Sequence, residues 1–308
     1  MLEFNSTYFA EEERCGFIIS QKMKRAWAAE MEVLSEVIRI CKKYNLTYYA
    51  DWGTLLGAVR HKGYVPWDDD LDITLKRKDY QKLLSVLPDE LPEGYHVSSV
   101  YTPGEHNQPL SFVMNHKTIL TDPSDIEKFH GCPYIAGVDI APLDYVPRDE
   151  ELAETQRMLY SVVYDAAHRY RKLKQNGELK EYIPQIEQLC SMSFDYSRPL
   201  RRQLWVLCDQ ISGLYQEEEC DDLTWFPRTV VSDKKYRYKK EWYTHTVEMP
   251  FENIMVAVPV GYDHILTKMY GDYHKMEKRR CGHNYPFFAS QDAFIEKLKQ
   301  KNKNERTG

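Results

Sequence analysis

Four aspartates fall within five residues of this 308-residue chain, and carboxylates at this density indicate metal chemistry. Residues 66–73 are PWDDDLDI, with aspartates at 68, 69, 70 and 72. From Asp70 to Leu75 polar and apolar residues alternate, which predicts a strand. Residues two apart on a strand face the same side, so we expect Asp70 and Asp72 to project together, joined by Asp68 if the strand begins that early.

Carboxylates crowded on one face repel, and each raises the pKa of its neighbours. A hard divalent cation removes this conflict, because Mg²⁺ (or Mn²⁺) takes oxygen ligands and usually binds through one or two carboxylates together with substrate phosphates. The pattern predicts a metal site for phosphoryl transfer, whose catalysis is largely positioning and charge neutralisation. The alternative is an acidic surface turn, with Ca²⁺ or with no metal. The segment lacks the glycine and the distal glutamate of an EF-hand.

A glycine and a hydroxyl residue precede the aspartates, in the segment WGTLLGAVR at 52–60. We predict that they lie where a strand turns into a helix. Gly53 would let backbone N–H groups approach a phosphate, and Thr54 would cap the helix or bind phosphate. Arg60 and Lys62, one helix length later, are expected to meet phosphate oxygens. Plain helix capping is the alternative, since the segment has neither P-loop nor Rossmann spacing.

The elements around these motifs have the patterns of a mixed α/β (α+β) fold. From Gln21 to Tyr44 apolar residues recur in steps of three and four, which is typical of an amphipathic helix. We predict an α/β core over residues 1–148, a mainly helical region over 149–240, and a C-terminal segment over 241–308 that returns to the core. The other predicted elements are strand 46–50, turn 51–53, helix 54–61, strand 70–75, helix 78–87 before Pro88, strands 95–101, 110–114 and 134–140 before Pro142, helices between 149 and 215, strand 254–258 and helix 260–270.

The bulk properties narrow the class of partner. A net charge of −6 and a pI of about 6.0 argue against nucleic acid, which usually needs a basic face. The N-terminus lacks the pattern of a signal peptide, and no apolar run is long enough to span a bilayer. The seven cysteines are odd in number and never spaced as C-x-x-C, which indicates reduced thiols. We therefore expect a soluble cytoplasmic protein with no transmembrane segment.

The two motifs together form the segment DWGTLLGAVRHKGYVPWDDDLDI at 51–73, which closely resembles the signature of the LicD family. Fukutin and the fukutin-related protein carry looser versions of it. The resemblance implies a nucleotidyltransferase fold, with a mixed sheet flanked by helices. It also implies transfer of phosphocholine from CDP-choline to sugars of surface polysaccharides, and relatives use CDP-ribitol.

Two later segments resemble further blocks of the same family. GVDIAPLD at 137–144 resembles its second block, with Ala141 where a bulky aromatic residue is expected, and residues 250–273 resemble its closing block. The resemblance implies that Asp139 completes the metal site or activates the acceptor, with a strand-end aspartate as the alternative and Asp144 as a weaker rival. After the closing block, Arg280 and His283 are candidates to contact the donor, or else belong to a solvated basic tail.

The function predicted from this resemblance is Mg²⁺-dependent transfer of an alcohol phosphate from a CDP-alcohol to a sugar hydroxyl, with release of CMP. The donor is expected to be CDP-choline, and the acceptor a cell-surface polysaccharide (such as lipopolysaccharide or teichoic acid) or its lipid-linked precursor. A lipid-linked acceptor would place the protein peripherally at the inner face of the membrane. Predicted catalytic residues are Asp70, Asp72 and Asp139; predicted metal ligands are the same three with Asp68; predicted substrate-binding residues are Gly53, Thr54, Arg60, Lys62, Trp67, Arg280 and His283.

Two other functions stay open at this point. The same fold and metal site would serve transfer of a nucleoside monophosphate to a small molecule. The alternative of another class is a non-catalytic module that binds carbohydrate or phosphocholine. The presence of Asp68, Asp70, Asp72 and Asp139 argues against it. For a quaternary ammonium, an aromatic cage is expected, and its candidates are Trp67, Tyr48, Tyr49 and Tyr64. Leu223, Trp225 and Phe226 either form a small membrane contact or pack in the core.

Overall fold

The computed structural model describes residues 1–231, 236–277 and 285–307. Its strands are β1 Glu12–Arg14, β2 Phe17–Ile19, β3 Tyr48–Ala50, β4 Asp72–Lys76, β5 His96–Ser98, β6 Ser111–Met114, β7 Gly137–Pro147, β8 Cys220–Thr224, β9 Tyr238–Lys239, β10 Thr246–Phe251 and β11 Ile254–Pro259. Its α-helices are α1 Gln21–Lys43, α2 Trp52–Arg60, α3 Arg77–Glu90, α4 Pro123–Lys128, α5 Glu150–His168, α6 Tyr170–Asn176, α7 Leu179–Leu189, α8 Leu200–Ser212, α9 Phe226–Val231, α10 Tyr262–Tyr270 and α11 Ala289–Thr307. Short 3-10 helices lie at Glu217–Glu219 and Lys240–Tyr243.

The helix α1 forms where the apolar stripe predicted it. Ser20 caps α1 by accepting a hydrogen bond from the backbone N–H of Met23 at 3.2 Å. The helix ends at Lys43, and Asn45 adopts a φ of 53°, the left-handed conformation that commonly follows a helix end. The five residues of the predicted stripe are all buried: Trp27, Met31, Leu34, Ile38 and Cys41.

Seven strands form a mixed sheet with β4 and β7 at its centre. Five of them run in the order β3-β4-β7-β6-β5, and β8 and β9 extend the sheet from β7. β4 and β7 pair in parallel, whereas the other neighbours pair antiparallel. β1–β2 and β10–β11 form separate hairpins. This mixed sheet with flanking helices confirms the predicted α/β class.

β7 continues beyond Pro142, so the prediction that this proline ends the strand is wrong. The N–H of Asp139 donates to the carbonyl of Leu71 at 2.8 Å, toward β4. The backbone nitrogen of Pro142, three residues further along β7, therefore faces the opposite edge of the strand, where β6 pairs. There β6 pairs with β7 only as far as Ile140, and the pairing of β7 with β8 starts only at Asp144, opposite Thr224. Pro142 lies in the gap between these two partners, where the strand needs no N–H donor.

Two other predicted boundaries differ from the structure. Pro88 lies in the last turn of α3, which continues to Glu90, because a proline near a helix end removes only one hydrogen bond. α10 begins at Tyr262 rather than Val260, and it ends before Gly271 as predicted.

The interior contains two hydrophobic clusters. The larger one joins α1, α2, α10 and the central sheet, and the smaller one lies among α5, α7, α8 and α9. The predicted helices between 149 and 215 are thus present as α5 to α8. Within the described ranges, none of the helices combines the length and the apolar character needed to cross a membrane.

Candidate active site

The helix α2 forms one wall of a cavity of about 560 Å³. Asp51 caps α2, and its carboxylate accepts a hydrogen bond from the backbone N–H of Trp52 at 2.7 Å. Trp52, Leu56 and Arg60 all line the cavity, in steps of four residues that place them on one face of the helix. Gly53 lines it as well, in the first turn.

The structure corrects the predicted turn at 51–53. Because Asp51 is the cap, α2 begins at Trp52, and Gly53 lies inside the helix rather than before it. Thr54 is therefore not the cap. Its hydroxyl is buried and accepts a hydrogen bond from the backbone N–H of Asp72 at 2.8 Å, which ties α2 to the start of β4.

Three of the clustered aspartates face the cavity. Asp68, Asp70 and Asp72 line it, while Asp69 is fully buried on the other side and accepts a hydrogen bond from the backbone N–H of Phe287. β4 begins only at Asp72, so the alternation that predicted a strand from Asp70 starts in the segment leading into it. The two-residue period nevertheless holds from 68 to 72.

The fourth carboxylate of the cavity wall comes from β7. Asp139 pairs with Asp72 in the parallel register of β7 and β4, and it lines the same cavity. Paired residues of neighbouring strands have their side chains on the same face of a sheet. The central pair of strands therefore brings together two aspartates that are 67 positions apart in the chain.

The electrostatics of this wall are those of crowded carboxylates. Burial raises the pKa of Asp72 well above its ordinary value, and the charges of Asp70, Asp139 and Asp68 raise it further. Beneath the wall, burial also raises the pKa of Glu30 well above its usual range. Such a cluster is costly when ionised, and a divalent cation would offset that cost.

The residues that the structure describes include no group of three or more His, Cys, Asp or Glu side chains arranged to hold a metal ion by themselves. A complete four-carboxylate cage is thus not preformed. This arrangement fits Mg²⁺, which usually binds one or two protein carboxylates and completes its shell with water and substrate phosphates.

Gly53 is the point of closest approach between α2 and the aspartates. A Cβ atom at this position would overlap the carboxylate of Asp68. The absence of a side chain at Gly53 therefore lets Asp68 lie directly against the first turn of α2.

Arg60 is held at the other end of α2. Its guanidinium donates to the backbone carbonyl of Tyr273 at 2.7 Å and to the ring nitrogen Nε2 of His61 at 2.9 Å. Burial, together with the charges of Arg60 and Arg14, lowers the pKa of His61 to about 4. His61 is therefore neutral at physiological pH and accepts the hydrogen bond from Arg60.

The structure brings together most of the residues predicted to act at the site. The predicted residues that line the cavity are Gly53, Arg60, Trp67, Asp68, Asp70, Asp72 and Asp139. Thr54 is buried behind it, and Lys62 is exposed, with its carbonyl accepting a hydrogen bond from Glu252 N–H at 2.8 Å. Arg280 and His283 lie outside the described residues.

Three candidates for an aromatic cage are in the wrong place. Tyr48, Tyr49 and Tyr64 are buried in the larger hydrophobic cluster, and the hydroxyl of each makes a hydrogen bond inside the protein. Only Trp67 of the four candidates lines the cavity. Leu223 and Phe226 are likewise buried, so they do not form a membrane contact.

Several cavity residues come from segments in which the sequence showed no motif. Trp225 lies just before α9 and Arg228 lies within it, at the end of the helical region, whereas Tyr270 on α10 belongs to the segment that resembles the closing block. Their sequence signal is weak, since a tryptophan and an arginine three residues apart are common on ordinary surfaces. β8 carries them to the cavity because it pairs with the far half of β7.

The comparisons with known proteins agree with this geometry. Residues 45–108 match the family described as LicD/FKTN/FKRP, nucleotidyltransferase domain. The chain is 27% identical over 255 residues to the lipopolysaccharide cholinephosphotransferase LicD of Haemophilus influenzae, covering 80% of this chain and 89% of that protein. Shorter matches are to uncharacterized proteins of Rickettsia prowazekii (42% over 67 residues, 22% of this chain and 25% of that protein) and Rickettsia typhi (38% over 66 residues, 21% of each). Residues 45–108 are thus similar to the LicD/FKTN/FKRP nucleotidyltransferase domain, the family whose signature the segment at 51–73 resembles.

Proposed function

We propose that the protein transfers phosphocholine from CDP-choline to a sugar hydroxyl of lipopolysaccharide or of its lipid-linked precursor, with release of CMP. The observation that carries the proposal is the convergence of Asp68, Asp70, Asp72 and Asp139 on one wall of a cavity that α2 also lines. Similarity to a lipopolysaccharide cholinephosphotransferase over most of both chains supports phosphocholine as the transferred group and lipopolysaccharide as the acceptor.

Asp70 and Asp72 are the residues that we expect to hold Mg²⁺ (or Mn²⁺), with Asp68 and Asp139 beside them. The mutual repulsion of these carboxylates and the burial of Asp72 support this assignment. When bound, the cation would neutralise negative charge on the donor phosphates and on the leaving CMP.

The chain's own groups then have distinct tasks in the transfer. Asp139 would accept the proton of the acceptor hydroxyl, and the oxygen of that hydroxyl would attack the phosphorus that carries choline. The bond from this phosphorus to the oxygen shared with CMP breaks, and CMP leaves with the electron pair. Gly53 and Arg60 on the wall formed by α2 would hold the phosphates in line.

A lipid-linked acceptor would bring the protein to the cytoplasmic face of the membrane as a peripheral enzyme.

The proposal is tested by titrating the protein calorimetrically with CDP-choline, CDP-ribitol, CDP-glycerol, ATP and UTP, with and without Mg²⁺. We expect Mg²⁺-dependent binding of CDP-choline that is lost in Asp70→Asn. Asp125→Asn is the matched control, because Asp125 is on α4 outside the cavity. Preference for ATP or UTP would favour transfer of a nucleotide, and no binding of any of the five would favour a non-catalytic module.

A further inference from the structure

The cavity has two ends, because α2 runs along it. Trp52 begins the helix and Arg60 ends it, and both line the cavity. Eight residues at 1.5 Å per residue separate them by about 12 Å. That length is enough for the two ends to contact different parts of one extended donor.

The end of the cavity beside Trp52 is aromatic and carries a cation. The rings of Trp52 and Trp225 have centroids 4.9 Å apart at an angle of 62°. The guanidinium carbon of Arg228 lies 5.8 Å from the Trp52 ring and 5.3 Å from the Tyr236 ring. Tyr270 lines the cavity as well.

This end is built on a fixed support. Phe226, the first residue of α9, is buried in the smaller hydrophobic cluster. The backbone N–H of Arg228 donates to the carbonyl of Trp225 at 3.0 Å, and the hydroxyl of Thr229 donates to the carbonyl of Phe226 at 2.8 Å. Trp225 and Arg228 are therefore held in one compact turn beside Trp52.

The end of the cavity beside Arg60 combines cations with carboxylates. The Trp67 ring lies 6.4 Å from the ring of His61, the residue after Arg60, and the carboxylates of Asp272 and Glu277 line the cavity beside Tyr273 and Lys275. Arg60 is bound to the carbonyl of Tyr273, and the Lys275 ammonium lies 3.6 Å from Glu277. An aromatic ring with nearby carboxylates suits a quaternary ammonium.

We propose that the donor binds in one direction, with its nucleoside phosphate at Trp52, Trp225 and Arg228 and its cationic alcohol at Trp67, Asp272 and Glu277. This inference rests on the proposed function and assigns Arg228 as a donor-binding residue. Arg228 already places a cation over Trp52, so a second cation would be repelled there, whereas a phosphate would be attracted. A flat base can stack on the tryptophans, because every base presents a π-face to an aromatic ring.

The direction is tested by measuring the two halves of the donor separately. CMP and phosphocholine are titrated calorimetrically, in the presence of Mg²⁺, into the wild-type protein, Arg228→Gln and Trp67→Ala. We expect Arg228→Gln to weaken CMP binding by about tenfold to a hundredfold, as for loss of a charge-assisted hydrogen bond, and to leave phosphocholine within about twofold. Trp67→Ala is expected to weaken phosphocholine and to leave CMP unchanged.

A control and a kinetic measurement complete this test. Arg157→Gln is the matched control, because Arg157 lies on α5 outside the cavity, and the KM for CDP-choline is expected to rise in Arg228→Gln alone of the two arginine variants. The reverse pattern, in which Arg228→Gln weakens phosphocholine and spares CMP, would overturn the inference. If the wild-type protein binds CDP-choline but CMP binding is unchanged in Arg228→Gln, the inference is wrong while the proposed function stands. If the wild-type protein binds none of the three, both fail.

Discussion

Gly53 and Gly57 lie one turn apart on α2 and have different tasks. A Cβ at Gly53 would overlap the side chain of Asp68, whereas a Cβ at Gly57 would overlap the backbone carbonyl of Gly63. A side chain can move at little cost to the fold, and a backbone segment cannot. The first glycine thus serves the geometry of the carboxylates, and the second serves packing.

We expect Gly53→Ala to lower transfer activity at least about tenfold without loss of stability, because alanine stabilises a helix by about 1 kcal/mol relative to glycine. Gly57→Ala is the control in the same helix, and overpacking should destabilise it by about 1–3 kcal/mol. Activity and urea denaturation of both variants check this. A Gly53→Ala protein with full activity would show that the position of Asp68 does not matter.

Asp51 makes stability depend on pH. Burial raises its pKa to about 6, although the hydrogen bond from Trp52 and the charge of Arg228 lower it. An unfolded aspartate has a pKa of about 3.9, so the folded state binds this proton more tightly. The resulting contribution to stability is complete below about pH 4 and is lost as the pH rises to about 6.

We expect Asp51→Asn to remove that loss, which amounts to about 3 kcal/mol for a shift of this size, while asparagine still caps α2. Denaturation in urea at pH 4.5 and pH 7, without metal, gives the comparison. The variant should gain stability relative to the wild type at pH 7 more than at pH 4.5. An equal difference in unfolding free energy between variant and wild type at the two pH values would contradict a raised pKa of Asp51 in the folded protein.

Single residues were predictable from the sequence where a local period or spacing determines them. The common side of Asp68, Asp70 and Asp72 follows from a two-residue alternation, and Asp139 was reached through a family block on a neighbouring strand. Arg228 was not predictable, because its place in the cavity depends on pairing between β7 and β8.

The hairpin of β10 and β11 supports the loop that leads into the aspartates. At its tip the carboxylate of Glu252 is buried, accepts a hydrogen bond from the backbone N–H of Tyr64 at 3.2 Å, and pairs with the guanidinium of Arg14. The Glu252 N–H donates in turn to the carbonyl of Lys62. One residue of the hairpin thereby joins the N-terminal segment to the loop at 62–64.

We expect Glu252→Ala to lower the free energy of unfolding by about 2 kcal/mol, since charged hydrogen bonds contribute about 1.5–3 kcal/mol. Glu248→Ala is the matched control, because Glu248 is an exposed residue of the same hairpin. Urea denaturation of the two variants decides the point. Equal losses of unfolding free energy in the two variants would mean that the contacts of Glu252 do not stabilise the protein.

Elements were predictable where the pattern was long and periodic, as in α1, and uncertain where a single capping residue or a pairing strand sets the boundary. The start of α2 depends on Asp51, whose capping carboxylate moves Gly53 and Thr54 into the helix. The length of β7 depends on the gap between β6 and β8, which lets the strand pass through Pro142. The short strands β1, β2 and β9 have too few residues for a period to be read.

The two hydrophobic clusters of the molecule are connected by a buried ion network. The Arg77 guanidinium donates to both carboxylate oxygens of Asp144 on β7, at 2.6 and 2.8 Å, and to Asp209 on α8 at 2.8 Å. Asp144, the weaker rival of Asp139, thus pairs with Arg77 and does not line the cavity of the candidate site. The network fixes the helical region against the sheet, and with it the segment that carries Arg228.

We expect Arg77→Met to destabilise the protein by about 3–5 kcal/mol, because it leaves two buried carboxylates without their cation. Arg148→Met is the control, since the pair of Arg148 with Asp221 is largely exposed and contributes little. Guanidinium denaturation followed by circular dichroism measures both. If Arg77→Met lowers the free energy of unfolding by less than about 1 kcal/mol, other contacts must hold the helical region against the sheet.

Release of CMP from CDP-choline shows whether the carboxylate wall, formed by Asp68, Asp70, Asp72 and Asp139, performs the transfer. The assay contains Mg²⁺ and lipopolysaccharide lacking phosphocholine, and it compares the wild type with Asp72→Asn and with Asp125→Asn. We expect Asp72→Asn to be folded, at least as stable without metal as the wild type because repulsion is relieved, and slower by a factor of about 10³ or more. The Asp125→Asn protein should retain wild-type activity. A folded Asp72→Asn protein that releases CMP at the wild-type rate would contradict the claim.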